Sequence, residues 1–220
     1  MSKLKNFVTK IHQSTKRDYL QRMNDNKPYC MKKARKFGKD FWDGNRRFGY
    51  GGHTYIKDYW KPVAIKLIKN YKLNANSKIL DVGCGKGYLL YEIKKLIPSI
   101  EIHGFDISKY SIANSKKEIK NNLFVHNAKD KFPFKKNYFD LTFSLATLHN
   151  LTIFELKNSI QEIERVSKKS YIMVESYRNE KELFNVQCWA LTCKSFFDYD
   201  EWLWLFKNFK YSGDYEFIYF

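Results

Sequence analysis

Ile79-Leu80-Asp81-Val82-Gly83-Cys84-Gly85-Lys86-Gly87 is the stretch on which the fold turns. A short apolar run ends in an acid, and three glycines at alternate positions lead into a helical pattern from Tyr88. Glycine leaves room for a ligand to approach the backbone where a Cβ would collide with it. The spacing therefore predicts a strand, a tight turn and a helix, with a ligand over the carboxyl end of the strand. A phosphate-binding G-x-x-x-x-G-K-[ST] loop is absent, and Tyr88 breaks the G-x-G-x-x-G spacing of a dinucleotide turn. A second acid, Asp106, closes the run Ile102-His103-Gly104-Phe105-Asp106, 19 residues after Gly87. That separation suits a carboxylate that accepts from both hydroxyls of a ribose.

Outward from this turn the chain alternates strands and helices. Strands are expected at 78–82, 100–105, 123–126, 138–144, 171–175 and 215–220. Helices are expected at 88–96, 111–119, 153–166, 181–192 and 200–209. Alternation of this kind is the mark of a parallel sheet with helices on both faces. The fold class is thus α/β, a Rossmann-like, mostly parallel sheet with an N-terminal helical cap. The cap covers residues 1–75, with a glycine- and aromatic-rich loop at 41–55, and the ligand-binding core covers 76–220. Within the cap, helices are expected at 16–23, started by Ser14 or Thr15, at 29–37 and at 59–71. Four glycines between Gly44 and Gly52 exclude a helix interior there. The apolar ending at Phe220 leads us to expect further residues beyond it.

The 220 residues are 44% apolar and 29% charged, the composition of a folded chain. No apolar run is long enough to span a bilayer, and no secretory leader is readable. The four cysteines show no metal-binding or disulfide spacing, so a reduced, cytoplasmic, metal-free protein is expected. The net charge of +17 is unevenly spread: residues 1–75 hold 19 basic and 5 acidic side chains. A basic segment points to an anionic partner. Lysines outnumber arginines 33 to 7, so compositional drift also explains part of the charge.

The D-x-G-x-G-x-G turn, the Asp106 strand, Val125-His126-Asn127-Ala128, and Phe132-Pro133-Phe134 before Asn137-Tyr138-Phe139-Asp140-Leu141 follow one another in a set order. Together they resemble the class I S-adenosylmethionine-dependent methyltransferases over roughly residues 60–177. The resemblance implies S-adenosyl-L-methionine as cofactor, leaving as S-adenosyl-L-homocysteine. It implies that Asp81, Gly83, Cys84, Gly85 and Gly87 surround the methionine part. Asp106 would hold the ribose, Ile107 would pack on the adenine, Asn127 and Ala128 would contact its edge, and Leu145 would also bind the cofactor. Asn127 stands where these enzymes usually carry an acid, and the [DN]-P-P-[YFW] motif of amino-methylating nucleic-acid enzymes is missing.

The family places its acceptor beyond the ends of the later strands. His149 is the expected general base, with a capping role as its alternative, and Glu175 and Tyr177 are the fallbacks. Arg46, Arg47, Tyr50, His53 and Arg178 are the expected substrate contacts; for the first four the alternative is a structural aromatic loop. Trp189, Trp202, Trp204 and Phe206 are expected in the core. The W-D-G-x-R-R-x-G-Y-G-G segment, with Glu175 to Glu180 and Trp189 to Cys193, also looks like a small group of bacterial small-molecule methyltransferases associated with surface-polysaccharide precursors. The leading expectation is O-methylation of a small anionic acceptor, a phosphorylated or nucleotide-linked sugar or a related phospho-compound. An RNA or protein methyltransferase and a non-catalytic cofactor-binding protein are the alternatives. The sequence does not assign an oligomeric state.

Overall fold

The computed structural model describes residues 2–50 and 54–220. Its sheet grows from β1 (Lys78–Val82), four of whose five residues are buried. Continuous burial of this kind requires cover on both faces. β1 pairs in parallel with β2 (Glu101–Asp106) on one side and β4 (Leu141–Leu145) on the other. β3 (Leu123–Val125) flanks β2, and β5 (Ser170–Glu175) followed by β6 (Asp214–Ile218) flank β4. The order is β3-β2-β1-β4-β5-β6, and every pairing is parallel. Chain direction across the sheet reverses between β1 and β4. Asp81, Asp106, Leu145 and Glu175 all stand at or next to the carboxyl ends of their strands, beside this reversal.

Side chains alternate between two cores, as the period of a strand demands. Ile79, Tyr171 and Met173 face one layer with α5 (Lys61–Tyr71), α6 (Tyr88–Leu96) and Val8. Leu80, Val82, Ile172 and Val174 face the other, with α8 (Ile153–Val166) and α10 (Tyr199–Asn208). Trp202 is fully buried there and Phe206 nearly so, whereas Trp204 is 62% exposed. The expectation for Trp204 is thereby corrected: two residues along a helix turn it away from the face that Trp202 and Phe206 share.

The N-terminal segment is part of the sheet layer. Leu4 bridges to Tyr215 beside β6. The wholly buried carboxylate of Glu216 accepts from the backbone N–H groups of Phe7, Val8 and Thr9 and from the Tyr171 hydroxyl. These bonds lead into α1 (Thr9–Gln13) and cover the outer edge of β6, which would otherwise offer unpaired backbone groups. α2 (Tyr19–Asn24), α3 (Lys27–Ala34) and α4 (Lys39–Asp43) then form a small cap around Cys30, Ala34, Phe41 and Leu191. Asp18, not Ser14 or Thr15, caps α2 by accepting from the Gln21 N–H. The expected helix at 111–119 is only α7 (Lys109–Ala113), begun by the Ser108 side chain. The last helix before α10 is α9 (Glu180–Trp189), against which α2 packs.

Candidate active site

A cavity of about 590 Å³ opens at the carboxyl ends of β1, β2, β4 and β5. That volume is typical of a small-molecule site. Its floor is the glycine turn. Gly83 has φ +80° and Gly85 φ +56°, conformations that L side chains rarely adopt. A Cβ on Gly83 would meet Thr147 at 2.1 Å, and one on Gly85 would meet the Trp42 ring at 2.7 Å. The close approach that the sequence assigned to a ligand is thus partly an approach of the protein's own side chains.

Asp81 lines the cavity, is 5% exposed, and its carboxyl has no hydrogen-bond partner among the described residues. Burial, and then the charge of Asp106, push its pKa well above the usual carboxylate range. Such a group calls for a cation, and the ammonium of S-adenosylmethionine fits that need. Asp106 accepts from the Gly85 N–H at 2.9 Å and the Ser108 N–H at 2.8 Å. Burial raises its pKa while those two bonds oppose the rise. Each of its oxygens keeps a free lone pair for a ribose hydroxyl. Ile107, Asn127, Ala128 and Leu145 also line the cavity. The Asn127 side-chain oxygen accepts from the Lys129 N–H and so shapes the loop after β3. Burial keeps the Cys84 thiol protonated. Gly87 does not line the cavity; it starts α6 at φ +72°.

The wall of the cavity beside β4 and β5 is built from separate stretches of the chain. His149 is 4% exposed and neutral, because burial lowers its pKa. Its Nδ1 accepts from the Glu175 N–H at 3.3 Å, which places the ring hydrogen on Nε2. Nε2 lies 3.6 Å from Glu175 Oε2, too long for a good hydrogen bond. Glu175 Oε2 is buried and has no hydrogen-bond partner among the described residues. Tyr50 faces the same space, and its hydroxyl accepts from the backbone N–H groups of Leu191 and Thr192. Burial, and then the charge of Glu175, push its pKa up to about 12. Trp42 and Phe41 line the cavity from α4. The Lys86 ammonium, 6% exposed, meets Asp43 at 2.6 Å and ties α4 to the glycine turn.

Other expected contacts lie elsewhere. Arg47 pairs with Asp25, and Arg178 pairs with Glu182 and stacks on Tyr219. Arg46 stacks on Trp189. None of the three lines the cavity, and neither does Tyr177. His53 falls outside the described residues. The cations that do line it are Lys86, Arg35, Lys129 and Lys194. No spacing in the sequence singles out Arg35, Lys129 or Lys194; Thr192 lies within, and Lys194 directly follows, the Trp189 to Cys193 segment that carries part of the family resemblance. No group of metal-binding side chains and no helix able to cross a membrane occurs among the described residues.

Comparison with known proteins agrees with this geometry. Residues 73–211 match a family model described as a methyltransferase domain. The candidate methyltransferase YrhH of Bacillus subtilis is 25% identical over 59% of this chain and 81% of its own length. The demethylmenaquinone methyltransferase of Chlorobaculum tepidum is 31% identical over 51% of this chain, which spans 46% of that protein. The crystal structure of YcgJ from Bacillus subtilis shares the fold at a TM-score of 0.52, with 17% identity and 66% of each chain covered. With residues 73–211 matching the family model and a positive-φ glycine turn at the head of a parallel sheet, the chain belongs to the methyltransferase domain family and is an S-adenosylmethionine-dependent methyltransferase.

Proposed function

We propose that the enzyme methylates a hydroxyl oxygen of a small anionic acceptor, such as a phosphorylated or nucleotide-linked sugar. The observation that carries this reading is the buried Glu175 Oε2 in the wall of the cavity, which has no hydrogen-bond partner among the described residues. A buried acceptor atom without a donor costs about 1–3 kcal/mol, and an acceptor hydroxyl would supply that donor. S-adenosylmethionine, when bound, supplies an electrophilic methyl group on its sulfonium. Asp81 and Asp106 hold the cofactor, and the cap aromatics Phe37, Phe41, Trp42 and Tyr50 exclude water from the acceptor space. Arg35 and Lys194 face an anionic portion of the acceptor.

Glu175 takes the hydroxyl proton, and His149 positions it through the Glu175 N–H. A second reading gives the proton to His149 itself, which lines the same wall 3.6 Å from Glu175; its Nδ1 must then release the Glu175 N–H to take the proton. The two separate by mutation. Under the first, Glu175→Gln lowers kcat by roughly 10²–10⁴-fold with S-adenosylhomocysteine affinity unchanged, while His149→Asn costs less. A full loss in His149→Asn beside a near-wild-type Glu175→Gln reverses the assignment. The enclosed, aromatic space supports a small acceptor over RNA or a protein.

A further inference from the structure

Three arginines surround Trp189 outside the cavity. The guanidinium carbons of Arg22, Arg17 and Arg46 lie 4.4, 5.5 and 5.6 Å from its ring. None forms an ion pair among the described residues; the nearby Asp25 is taken by Arg47. Like charges held this close repel one another, and burial removes the water that would screen them. Burial lowers the pKa of Arg17 and of Arg22; the charge of Glu175 opposes the fall at Arg17, and the charge of Arg46 adds to it in both. Arg22 is 8% exposed and committed to the carbonyls of Arg47 and Gly49. Arg17 gives its terminal nitrogens to His12 and Thr15, but its buried Nε–H has no hydrogen-bond partner among the described residues. Arg46 is exposed and makes one long bond, 3.4 Å to the Lys16 carbonyl.

We propose that Arg17, Arg22 and Arg46 around Trp189 form a binding site for a phosphate group, free or carried on a small molecule. Arg17 Nε–H and the open guanidinium of Arg46 donate to its oxygens, and Arg22 supplies a fixed positive charge. Guanidinium forks match phosphate geometry, and charge-assisted bonds of this kind are about twice as strong as neutral ones. None of the three arginines lines the cavity that Arg35 and Lys194 border, although Arg22 lies 6.0 Å from the ring of the cavity residue Tyr50.

Calorimetric titration of the whole chain with inorganic phosphate at low ionic strength tests the site. Saturable binding is expected, weakened at least about tenfold in Arg46→Gln and in Arg17→Gln and unchanged in Lys120→Gln. Arg46 is exposed, so its variant keeps the fold and decides the matter if Arg17→Gln does not. Glucose 1-phosphate and glucose separate the two sources. Tighter binding of the sugar phosphate than of phosphate, with none of glucose, assigns the site to a ligand-borne phosphate. Equal or weaker binding assigns it to the free ion. Absence of saturable phosphate binding, or wild-type affinity in Arg46→Gln, overturns the proposal.

Discussion

Single residues at the head of the sheet are fixed by two demands at once. Gly83 must hold φ +80° and leave space for Thr147, whose hydroxyl reaches back to the Gly83 and Leu145 carbonyls. Gly83→Ala therefore meets both strain and a clash. Strain at a positive φ costs of the order of 1–3 kcal/mol. For a chain of this size that lowers the thermal midpoint by roughly 2–4 °C per kcal/mol, and an unchanged midpoint would show that the turn relaxes freely. Motif residues were the legible ones, because their backbone and charge requirements are local. Asp81, Gly83, Asp106 and Asn127 all border the cavity that the sequence placed there. The role of Glu175 was only half legible. Its place at the end of an apolar strand marked it, but the burial of its oxygen and the bond from its backbone N–H to His149, 26 positions away, appear only in the folded chain.

Elements report the same division between local and distant information. The pattern at 78–82, 88–96 and 153–166 coincides with β1, α6 and α8, because hydrophobic period and helix caps lie within each segment. The attachment of α1 was invisible, since it rests on Glu216 accepting from residues more than 200 positions away. That attachment contains a pH-sensitive group. His12 donates from Nε2 to the Tyr219 carbonyl and accepts from Arg17 at Nδ1, so it stays neutral. Burial, followed by the charge of Arg17, lowers its pKa to about 4. In the unfolded chain the value returns to about 6.5. Between the two, the unfolded chain takes up a proton that the folded chain refuses. The contribution is thus complete above pH 6.5 and is lost as pH falls toward 4, by up to roughly 3 kcal/mol. Burial lowers the pKa of His149 too, which acts in the same direction. Thermal midpoints measured from pH 7 to pH 4 should fall less steeply for His12→Gln than for the wild type. Parallel curves would remove His12 from the account.

At the scale of the whole molecule, the parallel sheet brings acids from separate strand ends to one cavity, and the cap closes over it. The net charge of +17, with most of the excess before residue 76, was legible as a basic cap but not as a set of contacts. Arg46 and Arg47 drew attention by sequence position, whereas packing against Trp189 and Asp25 decides where their charges go. Cations that face the cavity come instead from the glycine turn, from after α3, from after β3 and from after α9. The central claim is that this cavity holds S-adenosylmethionine between Asp81 and Asp106. Calorimetric titration of S-adenosylhomocysteine into the wild type and into Asp106→Ala tests it most directly. The account predicts one site per chain, weakened at least about tenfold in the variant, since each charge-assisted bond to the ribose contributes roughly 1.5–3 kcal/mol. Equal affinity in a folded Asp106→Ala, or no binding by the wild type, would contradict it.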